Sequence, residues 1–149
     1  MACRLAAFPA ASILFGLRRR LSKLPIRNGD IDGNPATDRN AIWQPIGPTP
    51  MHPEYPCSHC IQSGAVAGVV KAVLGTEDVP EIALTNPALP GVVHRFTNMA
   101  ATTEEVANAR IWAGFHYRFS TRVGTQMGFQ IGDYVVKHMM QPVTVACAR

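Results

Sequence analysis

Two short segments hold residue types that could work on an anion. The first is Pro56-Cys57-Ser58-His59-Cys60, where a proline-rich stretch gives way to a run without proline. A helix starting there would present backbone N–H groups with no intrahelical acceptor, and such groups attract oxyanions. The Ser58 hydroxyl can add a donor, and the His59 imidazole can donate a hydrogen bond or move a proton near neutral pH. The same residues also read as an ordinary cap with a solvent-facing histidine. Cys57 and Cys60 form a Cys-x-x-Cys at a helix start, an arrangement that lowers a thiol pKa and admits a redox pair. Zinc would need two further ligands, with His52 and His59 near in sequence. The strand and parallel sheet that usually frame a redox pair are missing from the pattern. Reduced thiols are therefore expected of the four cysteines, Cys3, Cys57, Cys60 and Cys147, with Cys57 and Cys60 as solvent-exposed bystanders.

The second segment runs Ala109-Arg110-Ile111-Trp112-Ala113-Gly114-Phe115-His116-Tyr117-Arg118. Arg110 sits among small and apolar residues, where an unpaired guanidinium is costly. A bound oxyanion would give it a bidentate acceptor; an ion pair with Glu81, Glu104 or Asp133 would serve as well. His116 follows six residues later, about 9 Å along a regular helix and roughly 120° around it. The two side chains can meet only if the helix loosens, and Gly114 is placed to loosen it.

The elements that must carry these groups read as helices. Residues 22–56 contain seven prolines and three glycines, so they form an extended lead-in, pinned by Ile42, Trp43 and Ile46. From His59 to Leu74, Ile61, Ala65, Val69, Ala72 and Val73 recur at helical spacing, with Ser58 as the N-cap and Gly75 as the stop. Residues 76–97 are irregular, with room for a short helix over Val79–Leu84. A second helix is expected over Met99–Phe115, capped by Asn98, or by Thr102 with Glu105 closing a capping box. A third covers Arg122–Met140 and stops at Pro142. Its Gly124, Gly128 and Gly132 form a smooth face that asks for a neighbouring backbone at close range. No segment reads as a convincing sheet. The fold class is all-α, a helical bundle over residues 41–141, with a flexible or disordered leader at 1–40 and a tail at 142–149.

The chain has 149 residues, 47% hydrophobic and 16% charged, with a formal charge of +4. That balance suits one folded domain and excludes wholesale disorder. The basic excess fits an anionic ligand and is too thinly spread for nucleic acid. No apolar run is long enough to span a membrane. A soluble, cytoplasmic protein is the default, and the arginine-containing, acid-free residues 1–27 leave organelle targeting open.

The run His52-Pro53-Glu54-Tyr55-Pro56-Cys57-Ser58-His59, followed in order by Ala109–Ser120, resembles the vanadium-dependent haloperoxidase and type-2 phosphatidic acid phosphatase superfamily. The likeness is to its haloperoxidase-like branch and covers roughly Trp43–Lys137. Phe96 and the glycine-rich third helix also match that branch. It implies an α-helical bundle, apparently lacking the N-terminal part of the domain, that holds phosphate or vanadate. His59 would be the acid/base histidine and Arg110 the oxyanion clamp. His116 would attack phosphorus or ligate vanadium, the one metal contact expected. Cys57, Ser58, His59, Arg110 and His116 would together line the cofactor site.

Departures from that pattern are specific. Where the family usually reads Pro-Ser-Gly-His, this chain reads Pro56-Cys57-Ser58-His59. Cys57 replaces a hydroxyl donor with a weak S–H, and Ser58 adds bulk beside the anion. Ala109 stands where a serine usually precedes the arginine. Ser120 stands where many members place an aspartate orienting the histidine. The family's upstream lysine-and-arginine helix has no counterpart, since Lys23 and Arg27 lie among glycines and prolines. The expectation is a truncated or degenerate domain with a residual oxyanion site, weak or inactive. The alternatives are an active phosphomonoesterase or haloperoxidase using His116, and a non-catalytic helical module that binds a partner helix or another copy.

Overall fold

The computed structural model describes residues 26–27, 35–36, 38–139 and 141. Among them lie α1 (Ser58–Leu74), β1 (Asp78–Thr85), β2 (Val93–Asn98), α2 (Met99–Trp112) and α3 (Arg118–His138). The leader, Pro142 and the tail fall largely or wholly outside that set, as do Cys3 and Cys147.

The bundle is held at the crossing of α1 and α3, and small residues make that crossing close. A Cβ placed on Gly132 would sit 2.5 Å from the Ala65 carbonyl oxygen, and one on Gly64 would sit 2.5 Å from that of Thr125. The Cβ of any larger residue at Gly128 would run into the Ile61 carbonyl. The neighbour that the glycine row of α3 requires is therefore α1. The buried side of α1 is Cys60, Gly64, Ala67 and Gly68, not the expected row of Ile61, Ala65, Val69, Ala72 and Val73. Backbone-to-backbone packing turns the small residues inward and leaves the branched ones at the margins. Val73 is 67% exposed.

The helix ends differ from expectation for local reasons. Cys57, not Ser58, caps α1, its sulfur accepting from the Cys60 N–H at 3.2 Å. Gly75 ends the helix in a left-handed conformation, as expected. Asn98 caps α2, its Oδ1 accepting from the Ala100 and Ala101 N–H groups at 2.9 and 3.2 Å. The helix stops at Trp112, three residues early, because Gly114 takes a φ of +75°. α3 begins at Arg118, four residues before the expected start, and ends at His138.

Residues 78–98 form an antiparallel hairpin instead of an irregular stretch with a short helix. Val79 and Ile82 on one side, Val93 and Phe96 on the other, suit a pleated surface better than a helical turn. Pro80 is tolerated because a two-stranded sheet is all edge, and the register shifts between Asp78 and Ile82, where it lies. Asn86 closes the connection by accepting the Ala88 N–H on its side chain at 2.9 Å. The hairpin feeds directly into α2, and the bundle remains all-α in class.

Trp43 anchors the lead-in by lying against Gly114, where a Cβ would come within 2.8 Å of its ring. Ile46 is held through its backbone, its N–H donating to Ala113 at 3.1 Å. The Ile42 and Ile46 side chains are exposed and take no part in the core.

Candidate functional site

The lead-in and the start of α3 together build a brace for one histidine. Glu54 is buried, and its backbone carbonyl accepts from the His116 Nδ1–H at 2.6 Å and from the Ser120 hydroxyl at 2.7 Å. Its carboxylate accepts from the Tyr117 N–H at 2.9 Å and lies 3.3 Å from the same His116 nitrogen. A carbonyl oxygen can only accept, so the proton of neutral His116 resides on Nδ1 and the lone pair on Nε2. That Nε2 is shielded from solvent and has no hydrogen-bond partner. Burial alone would raise the Glu54 pKa; hydrogen bonds from His116, the Tyr117 N–H and Ser120 outweigh it and hold the carboxyl below its ordinary value.

Arg110 lies on the last turn of α2. Its guanidinium stacks over the Phe115 ring, 4.5 Å from the centroid. Two of the three acids offered as its partners are otherwise engaged, Glu81 with Arg95 and Asp133 with Lys137 at 2.7 Å. The Arg110 Nε and Nη2 are shielded and unpartnered. Desolvation lowers its pKa from the usual guanidinium range. The break at Gly114 lets His116 leave the helical path. Phe115 and His116 both return their N–H groups to the Arg110 carbonyl, at 3.0 and 3.3 Å. The loosening that the six-residue spacing required is therefore present.

At the start of α1, the Cys60 and Ile61 N–H groups are taken up by Cys57. Those of Ser58 and His59 have no intrahelical acceptor. His59 is exposed, and Ser58 half-buried. Desolvation, then the charge of Arg110, then His52 and His116, depress the His59 pKa. His52 stands between the other two imidazoles, its ring centroid 6.3 Å from that of His59 and 6.0 Å from that of His116, stacked on the latter. Three imidazoles thus follow one another beside a helix start, and the charge of Arg110 reaches His59.

Cys57 departs from the role its position implies. It is fully buried, and its sulfur is bonded to Cys60, so it carries no S–H to donate. The expectation of reduced, solvent-exposed thiols is corrected here for Cys57 and Cys60: both are buried, and a helical turn brings their Cα atoms to 5.3 Å, within bridging range. Arg27 donates its Nε to the Trp43 carbonyl at 2.9 Å.

Sequence reasoning singled out His59, Arg110 and His116 and overlooked Glu54 and His52 as working parts. Their signal was present in the segment His52–His59, but the partner of Glu54 lies sixty-two residues away. Among the described residues no group of three or more His, Cys, Asp or Glu is arranged to hold a metal ion. No helix among them is long and apolar enough to cross a membrane.

Comparisons with known proteins bear on the family and the fold. The model of the VCPO second helical-bundle domain matches residues 18–144. Among solved structures, a bacterial vanadium-dependent iodoperoxidase is similar at 30% identity and a TM-score of 0.56, over 64% of this chain. The apo and holo forms of a bacterial vanadium-dependent chloroperoxidase are each similar at 20% identity. Their TM-scores are 0.54 and 0.55, over 64% and 66% of this chain. The chain spans 23% of the length of each of these solved chains. No curated protein matches it.

Proposed function

From the premise that the chain belongs to the VCPO second helical-bundle domain family, we propose that it carries a residual oxyanion site for a phosphate- or vanadate-type ligand, with weak activity at most when on its own. The observation that carries the reading is the trio of shielded, unpartnered nitrogens, Arg110 Nε, Arg110 Nη2 and His116 Nε2. A buried polar atom left unpaired costs about 1–3 kcal/mol, more when charged. A tetrahedral oxyanion answers all three: two oxygens accept from the guanidinium and the central atom meets the imidazole lone pair.

With a phosphomonoester, the His116 Nε2 lone pair would form a P–N bond as the ester P–O bond breaks. Protonated His59 would give its proton to the departing alkoxide, and the His59 base so formed would take a proton from the water that releases phosphate. Positive charge developing on the His116 ring would be met by the Glu54 carboxylate near Nδ1. Arg110 would offset charge on the equatorial oxygens. Vanadate fits the same nitrogens, and when bound would supply Lewis-acid activation of peroxide. His59, Ser58, Arg110 and His116 would hold it, His116 as the direct ligand. Cys57, sealed in its disulfide, has no S–H to offer, and its N–H is already given to the Ser120 carbonyl.

Calorimetric titration tests the reading. Phosphate and vanadate should bind with dissociation constants in the millimolar range, and Arg110→Ala should abolish the signal. Micromolar binding would contradict the weakness, and equal binding by wild type and Arg110→Ala would remove the site. Any turnover should collapse in His116→Ala.

A second reading, a helical interaction module, is favoured by exposed apolar side chains on the outer faces, among them Trp112 at 70% and Tyr134 at 56%.

A further inference from the structure

Cys57 and Cys60 flank Ser58 and His59, and no step proposed for the anion site uses their sulfurs. Both residues are completely buried, under α3 at Gly124. A Cβ on Gly124 would lie 2.6 Å from the Cys57 carbonyl oxygen, 3.1 Å from the Cys60 Cβ and 3.3 Å from the Cys57 Cβ. The place that holds the bridge is therefore already filled to contact. Two separate thiols demand a van der Waals gap that two bonded sulfurs do not. Opening the bridge must push Cys57, α1 or α3 aside.

The displacement has a route to the site. The Cys57 N–H donates to the Ser120 carbonyl at 3.3 Å. The Ser120 hydroxyl donates to the Glu54 carbonyl at 2.7 Å, and that same oxygen accepts the His116 Nδ1–H at 2.6 Å. In the other direction, the Cys57 carbonyl accepts the Ile61 N–H at 3.0 Å, so Cys57 also fixes the first turn of α1, which carries His59.

We propose that the Cys57–Cys60 disulfide is a redox-dependent staple of the anion site: closed, it fixes both the turn presenting His59 and the Glu54 brace of His116, and opened by a dithiol it loosens both. The inference rests on the oxyanion reading for its functional consequence, though not for its structural one. In the opening step a dithiol thiolate attacks one sulfur, breaking the Cys57–Cys60 bond and forming a mixed disulfide. The second thiol of the reagent then closes on the first, leaving a cyclic disulfide and two cysteine thiols. A low-molecular-weight disulfide reverses the exchange, releasing two reagent thiols. Because both residues are buried against α3, each direction waits on a transient opening of the α1–α3 contact.

The experiment uses the full chain, with inorganic phosphate as the probe and dithiothreitol as the dithiol. Phosphate affinity is measured by calorimetry, and amide hydrogen exchange is followed over residues 53–61 and 116–120. Reduction is expected to speed exchange in both segments and weaken phosphate binding about tenfold, the scale typical for loss of a supporting contact behind a ligand. The double variant Cys57→Ser/Cys60→Ser should show the reduced-state values in both buffers, which assigns the response to this pair and not to Cys3 or Cys147. Exchange that is identical in the two redox states would overturn the staple. So would mass spectrometry finding both thiols free to alkylate under non-reducing denaturation. Absence of phosphate binding in either state would remove the oxyanion reading, while the exchange data would still decide the staple.

Discussion

The lone pair of His116 is set by what its other nitrogen does. Nδ1–H is committed to the Glu54 carbonyl, and the Glu54 carboxylate stays ionised because Tyr117, Ser120 and His116 all support it. Glu54→Gln keeps the carbonyl and removes the charge. It should cost about 1–3 kcal/mol of stability at neutral pH, the penalty for a spoiled buried hydrogen-bond network. The Glu54 carboxyl is depressed below 4.5, so its contribution is full above that value and lost as pH falls through the folded one. Urea unfolding of wild type and Glu54→Gln should therefore differ near pH 7 and converge in acid; parallel curves at both pH values would contradict the brace. His59, lowered from 6.5, follows the same sign, its contribution being lost as pH falls below the ordinary histidine range. Desolvation is the first cause of that depression, and a bound anion would oppose the charge contributions of Arg110, His52 and His116 that add to it. Saturating phosphate should raise the His59 titration midpoint seen by NMR, and an unmoved midpoint would place the anion elsewhere.

At the scale of elements, the close approach of α1 and α3 makes glycine positions sensitive and many larger ones tolerant. Gly128→Ala forces a methyl against the Ile61 carbonyl and should destabilise by about 1–3 kcal/mol, read as a lower thermal midpoint. Gly114→Ala meets two obstacles, a φ of +75° and the Trp43 ring. It should cost a similar amount and also weaken anion binding, because the turn at Gly114 is what carries His116 back toward Arg110. The period-four glycines made the need for a close neighbour legible, and Asn98 and Gly75 announced their helix ends. The hairpin was not legible in the same way. Pro80, Pro87 and Pro90 read as breaks, while the pairing that organises Asp78–Thr85 with Val93–Asn98 is a relation between two segments. The cap at Cys57 was hidden for a related reason, since sulfur capping and the bridge to Cys60 depend on geometry that residue type alone does not announce.

For the whole molecule, the question is what its apolar surface is for. Among the described residues the side chains fully enclosed are small, with Thr121, Cys57, Cys60 and Ser120 the largest, so the interior they form is a thin seam between helices. Meanwhile Val66, Val73 and Leu74 on α1, and Ile131, Tyr134 and Val135 on α3, are all more than a third exposed. Burying a side chain of this kind is worth about 1.5–3 kcal/mol, and an exposed set of them favours association over dispersion. The glycine row used the smooth face of α3, so the apolar residues on its other side are left for something else. The protein should therefore associate as its concentration rises, with sedimentation velocity showing mass above the monomer. Tyr134→Asp and Ile131→Asp should shift that equilibrium back toward monomer while leaving the far-UV circular dichroism unchanged, because neither residue lies in the α1–α3 seam. A monodisperse monomer at every concentration would instead assign the exposed surface no role in self-assembly.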